Sequence, residues 1–306
     1  MTSSTLPCRI PPVEQVPLVT LTTDFGTADG YVGTMKGVIL SIAPDVLLVD
    51  ISHEIAPQNV RQAAYVLYTA YPFFPSHAVH LAVVDPGVGS ARRPIALRTP
   101  AGYFVGPDNG IFSYVMACEP VEALVELDPR QFLQVSHTFH GRDVFAPVAA
   151  HLAAGLSIAA LGSPVLDPVT FSPPRLEVTP AGITGEVLHT DHFGNVITSI
   201  GRMVWGGDEL VLEPIFWRAR GGMQVTGGKE HEAGDGGQVR VKAGEVVVVV
   251  GGREIAGVHR TYAEVASGEA LALVGSQAYL EIAVREGNAA LELGLHVGDV
   301  VALRLS

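Results

Sequence analysis

Three short stretches combine acid, base and glycine in patterns that could do chemistry. DPGVGSARR (85–93) sets a carboxylate ahead of a proline-glycine turn and two arginines, and that turn can fold Arg92 back toward Asp85. An arginine beside an aspartate favours the carboxylate and fixes its rotamer, which gives a group able to orient a water. The same pattern also makes an ordinary turn closed by an ion pair. TFHGRD (138–143) puts His140 directly before a glycine at the entry to an apolar helical run. An imidazole there can donate to an anion or shuttle a proton, or simply be solvated, while Gly141 permits close approach. TDFG (23–26) follows a strand pattern, so Asp24 is placed either to accept hydrogen bonds from the two hydroxyls of a ribose or to cap a helix. PDNG (107–110) reads as a turn or as the polar lip of a pocket. DHFGN (191–195) and GNAA (287–290) group an acid, an aromatic and amides around tight turns, a combination that suits a purine ring through stacking and hydrogen bonds to its edge.

Other chemistries lack their residues. HExxH, CxxC, GxSxG, the P-loop and GxGxxG do not occur, and DFG stands without the glycine-rich loop, strand lysine and HRD motif of a kinase. What remains is a set of aspartates, an arginine, a histidine and nucleoside-friendly turns, without the lysine or glycine cradle that a polyphosphate requires.

Positioning such residues is the work of the elements around them. LVTLTTD (18–24), VLLVDIS (46–52) and AVHLAVVD (78–85) read as strands, with helical apolar spacing over 31–43 and 59–71 between them. Strands alternating with helices predict an α/β N-terminal domain with a mainly parallel sheet, and ligands of such sheets bind beyond the carboxyl ends of the strands. Asp24, Asp50 and Asp85 fall at or near those ends. IALRTP, GYFVGPD and the helix-like 144–155 complete this part. A proline-rich stretch at 163–174 then changes the composition to short strands with frequent glycine turns, which predicts a smaller all-β, barrel-like C-terminal domain. The expected division is a flexible tail over 1–16, the α/β catalytic domain over 17–172 and the barrel over 173–306, with glycine-rich 219–238 as a loop.

Composition restricts the partners. With 31 acidic and 19 basic residues the net charge is -12, and no basic stripe offsets it, so nucleic acid is not an expected partner. Apolar runs are too short for the roughly 20 residues of a membrane span, and 1–16 lack a signal-peptide core, so no membrane association is expected. Two cysteines, Cys8 and Cys118, suggest neither a disulfide framework nor a thiolate metal site, and a reducing cytoplasm fits them.

Taken together, TDFG, DGYVGTMKGVI, PDV-LLVDISHEI, YPFFP, VVDPGVGSARR, GPDNG, TFHGRDVFAPVAAHLA, DHFGNVITSI and YLEIAVREGNAA resemble the S-adenosyl-L-methionine (SAM) hydroxide adenosyltransferases, SAM hydrolases related to the fluorinating and chlorinating SAM enzymes. The resemblance runs in order from about residue 17 to the C-terminus. It implies that water displaces methionine from C5' of SAM, with SAM as substrate and no cofactor or metal. It also implies a homotrimer with sites between subunits. The family's catalytic Asp-Arg-His set matches Asp85, Arg92 and His140, and its ribose aspartate matches Asp24. The methionine-end contacts match Asp191 and Ser276, the adenine contacts match Phe193, Asn195, Asn288 and Ala289, and Tyr262 matches an aromatic wall. In the halogenating relatives a tyrosine stands at the position of Asp85, and the fluorinating ones carry serine at Gly141 and arginine at Gln277. A metal-dependent hydrolase built on Asp24, Asp85, Asp108 and His140, a SAM or adenosine sensor without turnover, and a halogenase are the competing readings.

Overall fold

The computed structural model describes residues 16–128, 136–213 and 239–305, so the tail before Val16 and the whole of 219–238 lie outside the described residues. In chain order the first half runs β1 (Leu18–Thr23), α1 (Tyr31–Ile42), β2 (Leu47–Ser52), α2 (Val60–Ala70), β3 (Val79–Val83), β4 (Pro94–Thr99), β5 (Gly102–Pro107), α3 (Ser113–Cys118), β6 (Ala123–Leu127), α4 (Ala146–Ala153) and β7 (Gly162–Pro164). Two compact units emerge. One holds the chain up to Gln58 with Phe73–Pro107 and Glu122–Leu166; the other holds Asn59–Pro72, Asp108–Val121 and everything from Asp167.

The first unit is built on a seven-stranded sheet ordered β2-β1-β3-β5-β4-β6-β7. Its β2, β1, β3 and β5 pair in parallel, and the β4–β5 hairpin then turns the rest antiparallel. Every residue of β1 is buried, as expected of a central strand. Its alternation divides the labour: Val19 and Leu21 join Met35 and Ile39 of α1 and Val148 of α4 in the main core. Thr20 faces the other way and its hydroxyl meets Nδ1 of the fully buried His80 at 2.8 Å. His80 in turn stacks on Phe104, with ring centroids 4.8 Å apart.

The second unit carries α2 and α3 together with β8 (Leu176–Thr179), β9 (Gly182–Thr190), β10 (Val196–Gly201), β11 (Met203–Gly206), β12 (Glu209–Leu212), β13 (Val239–Lys242), β14 (Val246–Val250), β15 (Arg253–Ala256), β16 (Ala270–Val274), β17 (Tyr279–Val284), α5 (Ala289–Leu293) and β18 (Val300–Leu305). Its main sheet is antiparallel and ordered β15-β14-β18-β9-β10-β17-β16, with β8 on β9. Just beyond β15, the His259 amide donates to the carbonyl of Ala272 in β16 at 2.7 Å, so the sheet is nearly closed. Alternate valines of β14 fill the barrel interior with Ile183, Ile282 and Leu303, the period-2 pattern of a half-buried strand. β11, β12 and β13 form a separate small sheet. Among the described residues no helix is long and apolar enough to cross a membrane.

Candidate functional site

Within the first unit, a cavity of ≈ 690 Å³ is lined by Asp24, Gln58, Asp85 and His140, with Phe25, Tyr31 and Phe139 among its aromatic walls. That volume is in the range of small-molecule sites. The rings brace one another: Phe139 meets Phe25 and Tyr31 edge to face at 5.8 and 5.3 Å.

Asp85 lies two residues beyond β3, where the chain leaves the sheet. The turn that follows is shaped by its glycines. A Cβ at Gly87 would stand 3.2 Å from Arg92 Cγ, and Gly89, at φ +78°, has the His137 carbonyl oxygen 2.5 Å from where its Cβ would be. Without those side chains the loop closes on itself and returns Arg92 to Asp85. Arg92 Nε donates to Asp85 Oδ1 at 2.8 Å, and Nη2 donates to Asp85 Oδ2. The same Nη2 donates to His140 Nδ1 at 2.8 Å. Both side chains of the ion pair are largely dry, at 6% exposure for Asp85 and 9% for Arg92, and the guanidinium lies 5.1 Å from the Phe145 ring centre. Arg92 Nη1 is buried with no hydrogen-bond partner.

An arginine has donors only, so His140 Nδ1 must be the acceptor, and a neutral imidazole then carries its proton on Nε2. Burial, first, and the Arg92 charge, second, push His140 below the ordinary histidine pKa, with Asp85 and Asp143 offsetting part of the effect. His140 is therefore a neutral Nε2–H donor at physiological pH. It is held from both sides. A π-helical turn, Gly141–Phe145, follows it and leads into α4, and Asp143 Oδ2 accepts the Ser136 amide at 2.9 Å to anchor the segment before it. Gly141 is packed so closely that a Cβ would lie 3.1 Å from Met35 Sδ and 3.2 Å from the Phe139 ring.

Asp24 stands just past β1, and its Oδ2 accepts the Gln58 amide at 2.8 Å. Gln58 achieves this with φ +64°, a left-handed backbone that a side chain makes costly.

The remaining sequence-predicted residues lie in the second unit. Asp191 follows β9 and organises its own turn: Oδ1 accepts the amides of Phe193 and Asn195 at 2.9 and 2.8 Å, and Oδ2 accepts Asn195 Nδ2 at 3.0 Å. Gly194, at φ +87°, brings this turn against Asn288, whose amide would lie 2.1 to 2.3 Å from a Cβ at 194. The Ala290 amide donates to the Gly194 carbonyl at 3.0 Å. Phe193, Asn195, Asn288 and Ala289 are thus one cluster, with the Phe193 ring 73% exposed and Ala289 fully buried. Asn288 also caps α5 by accepting the Leu291 amide. Tyr262 donates its hydroxyl to Glu281 at 2.5 Å, and burial raises the Glu281 pKa, with Asp191 adding to the effect. Ser276 is exposed in the turn between β16 and β17.

The four-residue metal set is not assembled. Asp108 belongs to the second unit, where it accepts the Val169 amide, and among the described residues no three His, Cys, Asp or Glu side chains gather as metal ligands would. Conversely, the sequence marks no role for Phe25, Tyr31, Phe139, Gln58 and Glu281. The three rings sit inside motifs that it did single out, but nothing in the sequence signals the positive φ of Gln58.

Comparison with known proteins follows this geometry. The model of the SAM hydroxide adenosyltransferase N-terminal domain matches residues 19–162, and that of the C-terminal domain matches 185–302. The (R)-S-adenosyl-L-methionine hydrolase of Salinispora tropica is 40% identical over 289 residues, which is 92% of this chain and 96% of that protein. A fluorinase of Actinopolyspora mzabensis is 31% identical over 215 residues, 61% of this chain and 72% of that protein. A solved structure described as an uncharacterized conserved protein from Thermotoga maritima superposes with a TM-score of 0.77 at 35% identity, covering 93% of this chain and 99% of that one.

Proposed function

Because the chain belongs to the SAM hydroxide adenosyltransferase family, we propose that it hydrolyses SAM: the oxygen of water bonds to C5' of the ribose, the C5'–S bond breaks with its electron pair going to sulfur, and adenosine and L-methionine result. The observation that carries this reading is the hydrogen-bonded array of Asp85, Arg92 and His140 on the cavity that also holds Asp24.

A sulfonium leaves as a neutral thioether and needs no general acid. The protein must align one water, desolvate it and take its proton. Alignment is worth about 7 to 11 kcal/mol, and a positioned base about 10² to 10⁴ in rate. With His140 presenting an N–H, the proton acceptor is Asp85. His140 Nε2–H supplies a donor to the oxygen as negative charge develops on it, and the Arg92 charge bound to Asp85 and His140 favours that charge. Asp24 takes the ribose hydroxyls, and the Phe193, Asn195, Asn288 and Ala289 cluster takes the adenine. Asp191 and Ser276 bind the methionine end, and Tyr262 forms an aromatic wall. No cofactor enters this chemistry.

Water suits the pocket better than a halide does. A halide about 4 Å from the Asp85 carboxylate would meet roughly 4 kcal/mol of repulsion at an effective dielectric of 20, before Arg92 offsets part of it. The close packing at Gly141 points the same way, since the serine of the fluorinating enzymes would require Met35 or Phe139 to shift. A homotrimer with sites shared between subunits, working in the cytoplasm, belongs to this reading, and light scattering at working concentration tests the trimer.

The decisive experiment is to incubate purified protein with SAM under exhaustive chelation, and again in excess chloride, and to identify products by chromatography with mass detection. Adenosine plus methionine is expected in both. A 5'-chloro nucleoside would make the protein a halogenase, and intact SAM with measurable binding would make it a sensor.

A further inference from the structure

The segment that carries Asp24 is gripped by a loop to which the mechanism assigns no role. β1 and β2 pair in register as far as Leu21 with Asp50, and then slip so that Thr22 faces Ser52. A bulge of this kind re-aims the side chains beyond it. Just past it, the buried His53 turns Nδ1 to the Thr23 hydroxyl at 2.8 Å, and its carbonyl accepts the Gly26 amide at 2.8 Å. The Thr23 oxygen accepts the Phe25 amide at 3.3 Å. Thr23, immediately before Asp24, and Gly26, two residues after it, are therefore both tied to His53. On its far side His53 Nε2 lies 3.0 Å from Asp50 Oδ1, a close polar contact rather than an in-line hydrogen bond, and Lys36 Nζ holds Asp50 Oδ2 at 2.6 Å.

In the neutral ring the Asp50 carboxylate beside Nε2 favours the tautomer with its proton there, so Nδ1 accepts from the Thr23 hydroxyl, whose lone pairs are left to the Phe25 amide. A chain of contacts runs from Lys36 at the surface through Asp50, His53 and Thr23 to the backbone on either side of Asp24. Five residues on, the same loop supplies the Gln58 amide to Asp24 itself.

We infer that His53 is a positioning residue for substrate binding: held by the Lys36–Asp50 pair, it fixes Thr23 and Gly26 and so sets where the Asp24 carboxylate meets the ribose. This rests on the reading of the site as one for an adenosyl substrate, and it adds a residue that touches no substrate.

The test is steady-state kinetics of the whole protein with SAM, for His53→Leu, His53→Asn and Asp50→Asn, alone and in an Asp24→Ala background. His53→Leu should raise KM about tenfold, the worth of one hydrogen bond to a ribose hydroxyl, with a much smaller change in kcat. His53→Asn, whose amide oxygen replaces Nδ1, should recover most of that loss. In the Asp24→Ala background His53→Leu should add nothing further. Equal increases in KM with and without Asp24 would overturn the inference, as would a folded His53→Leu protein with unchanged KM. Should His53→Leu not fold, Asp50→Asn decides, because it removes a half-exposed carboxylate and should still raise KM only when Asp24 is present. Failure of the wild type to bind SAM or adenosine would instead overturn the proposed function.

Discussion

Arg92 Nη2 and His140 Nδ1 are joined by a 2.8 Å hydrogen bond in which the arginine, having donors only, makes Nδ1 the acceptor and leaves the proton of a neutral ring on Nε2. Glutamine reaches about where Nε2 sits and can present an N–H there, whereas asparagine reaches only as far as Nδ1. His140→Gln should therefore retain more turnover than His140→Asn, by about tenfold. Single-turnover rates of the two variants decide it, and equally deep losses in both, since neither amide can take the proton, would assign the base to His140.

The same contact sets the acid limb of the pH profile. Protonating His140 at Nδ1 breaks the bond from Arg92. Since the folded pKa lies below the ordinary histidine value of 6.5, activity should hold through pH 6.5 and decline only as pH falls further. His140→Gln should lose that part of the decline, which a pH series of kcat would show.

Asp85 should separate chemistry from binding. Asp85→Asn removes the proposed proton acceptor and should lower kcat by about 10² to 10⁴ while KM changes little. Asp85→Ala should, in addition, destabilise the fold by about 3 to 5 kcal/mol, because it leaves the buried Arg92 charge without its partner. Kinetics with parallel denaturant melts test both, and equal losses in kcat and affinity for Asp85→Asn would remove it from the chemical step.

Gln58 bears a local cost for holding its amide on Asp24. Glycine accepts φ +64° without strain, so Gln58→Gly should raise stability by about 1 kcal/mol and keep the hydrogen bond to Asp24. A thermal melt measures the gain, and an unchanged or lower midpoint would show that the side chain contributes more than its backbone costs.

His80 should make the protein acid-sensitive independently of catalysis. Burial lowers its pKa from 6.5 to about 4. An unfolded chain then binds the proton first, so the neutral ring's contribution is complete above pH 6.5 and disappears as pH falls toward 4, a loss of roughly 3 kcal/mol. Asparagine keeps an acceptor for Thr20 but does not titrate. The midpoint of His80→Asn should accordingly fall less steeply between pH 6.5 and 4 than that of the wild type.

Much of this was legible in the sequence because it rests on local rules. Strand alternation and turn glycines placed β1, β2 and β3 within a residue or two, and Pro86-Gly87 forecast the return of Arg92 to Asp85. Two kinds of fact were not legible. The parallel sheet turns antiparallel at the β4–β5 hairpin, a matter of which edge the hairpin joins, and no pattern inside IALRTP or GYFVGPD states that. The tautomer of His140, the backbone of Gln58 and the tethering of His53 depend on partners 30 and 48 residues away or on a backbone angle, and periodicity does not record either.

The strand order of the barrel has a bearing on how the protein is made. β18, the last strand of this sequence, lies between β14 and β9 instead of at an edge. On the ribosome, β9 and β14 must wait for a neighbour synthesised more than a hundred residues after β9, with open edges of the kind that recruit other chains. The unit that carries the Phe193–Asn288 cluster cannot finish folding until residues 300–305 have emerged, so removing those residues would reach that cluster through the barrel rather than through any contact with it.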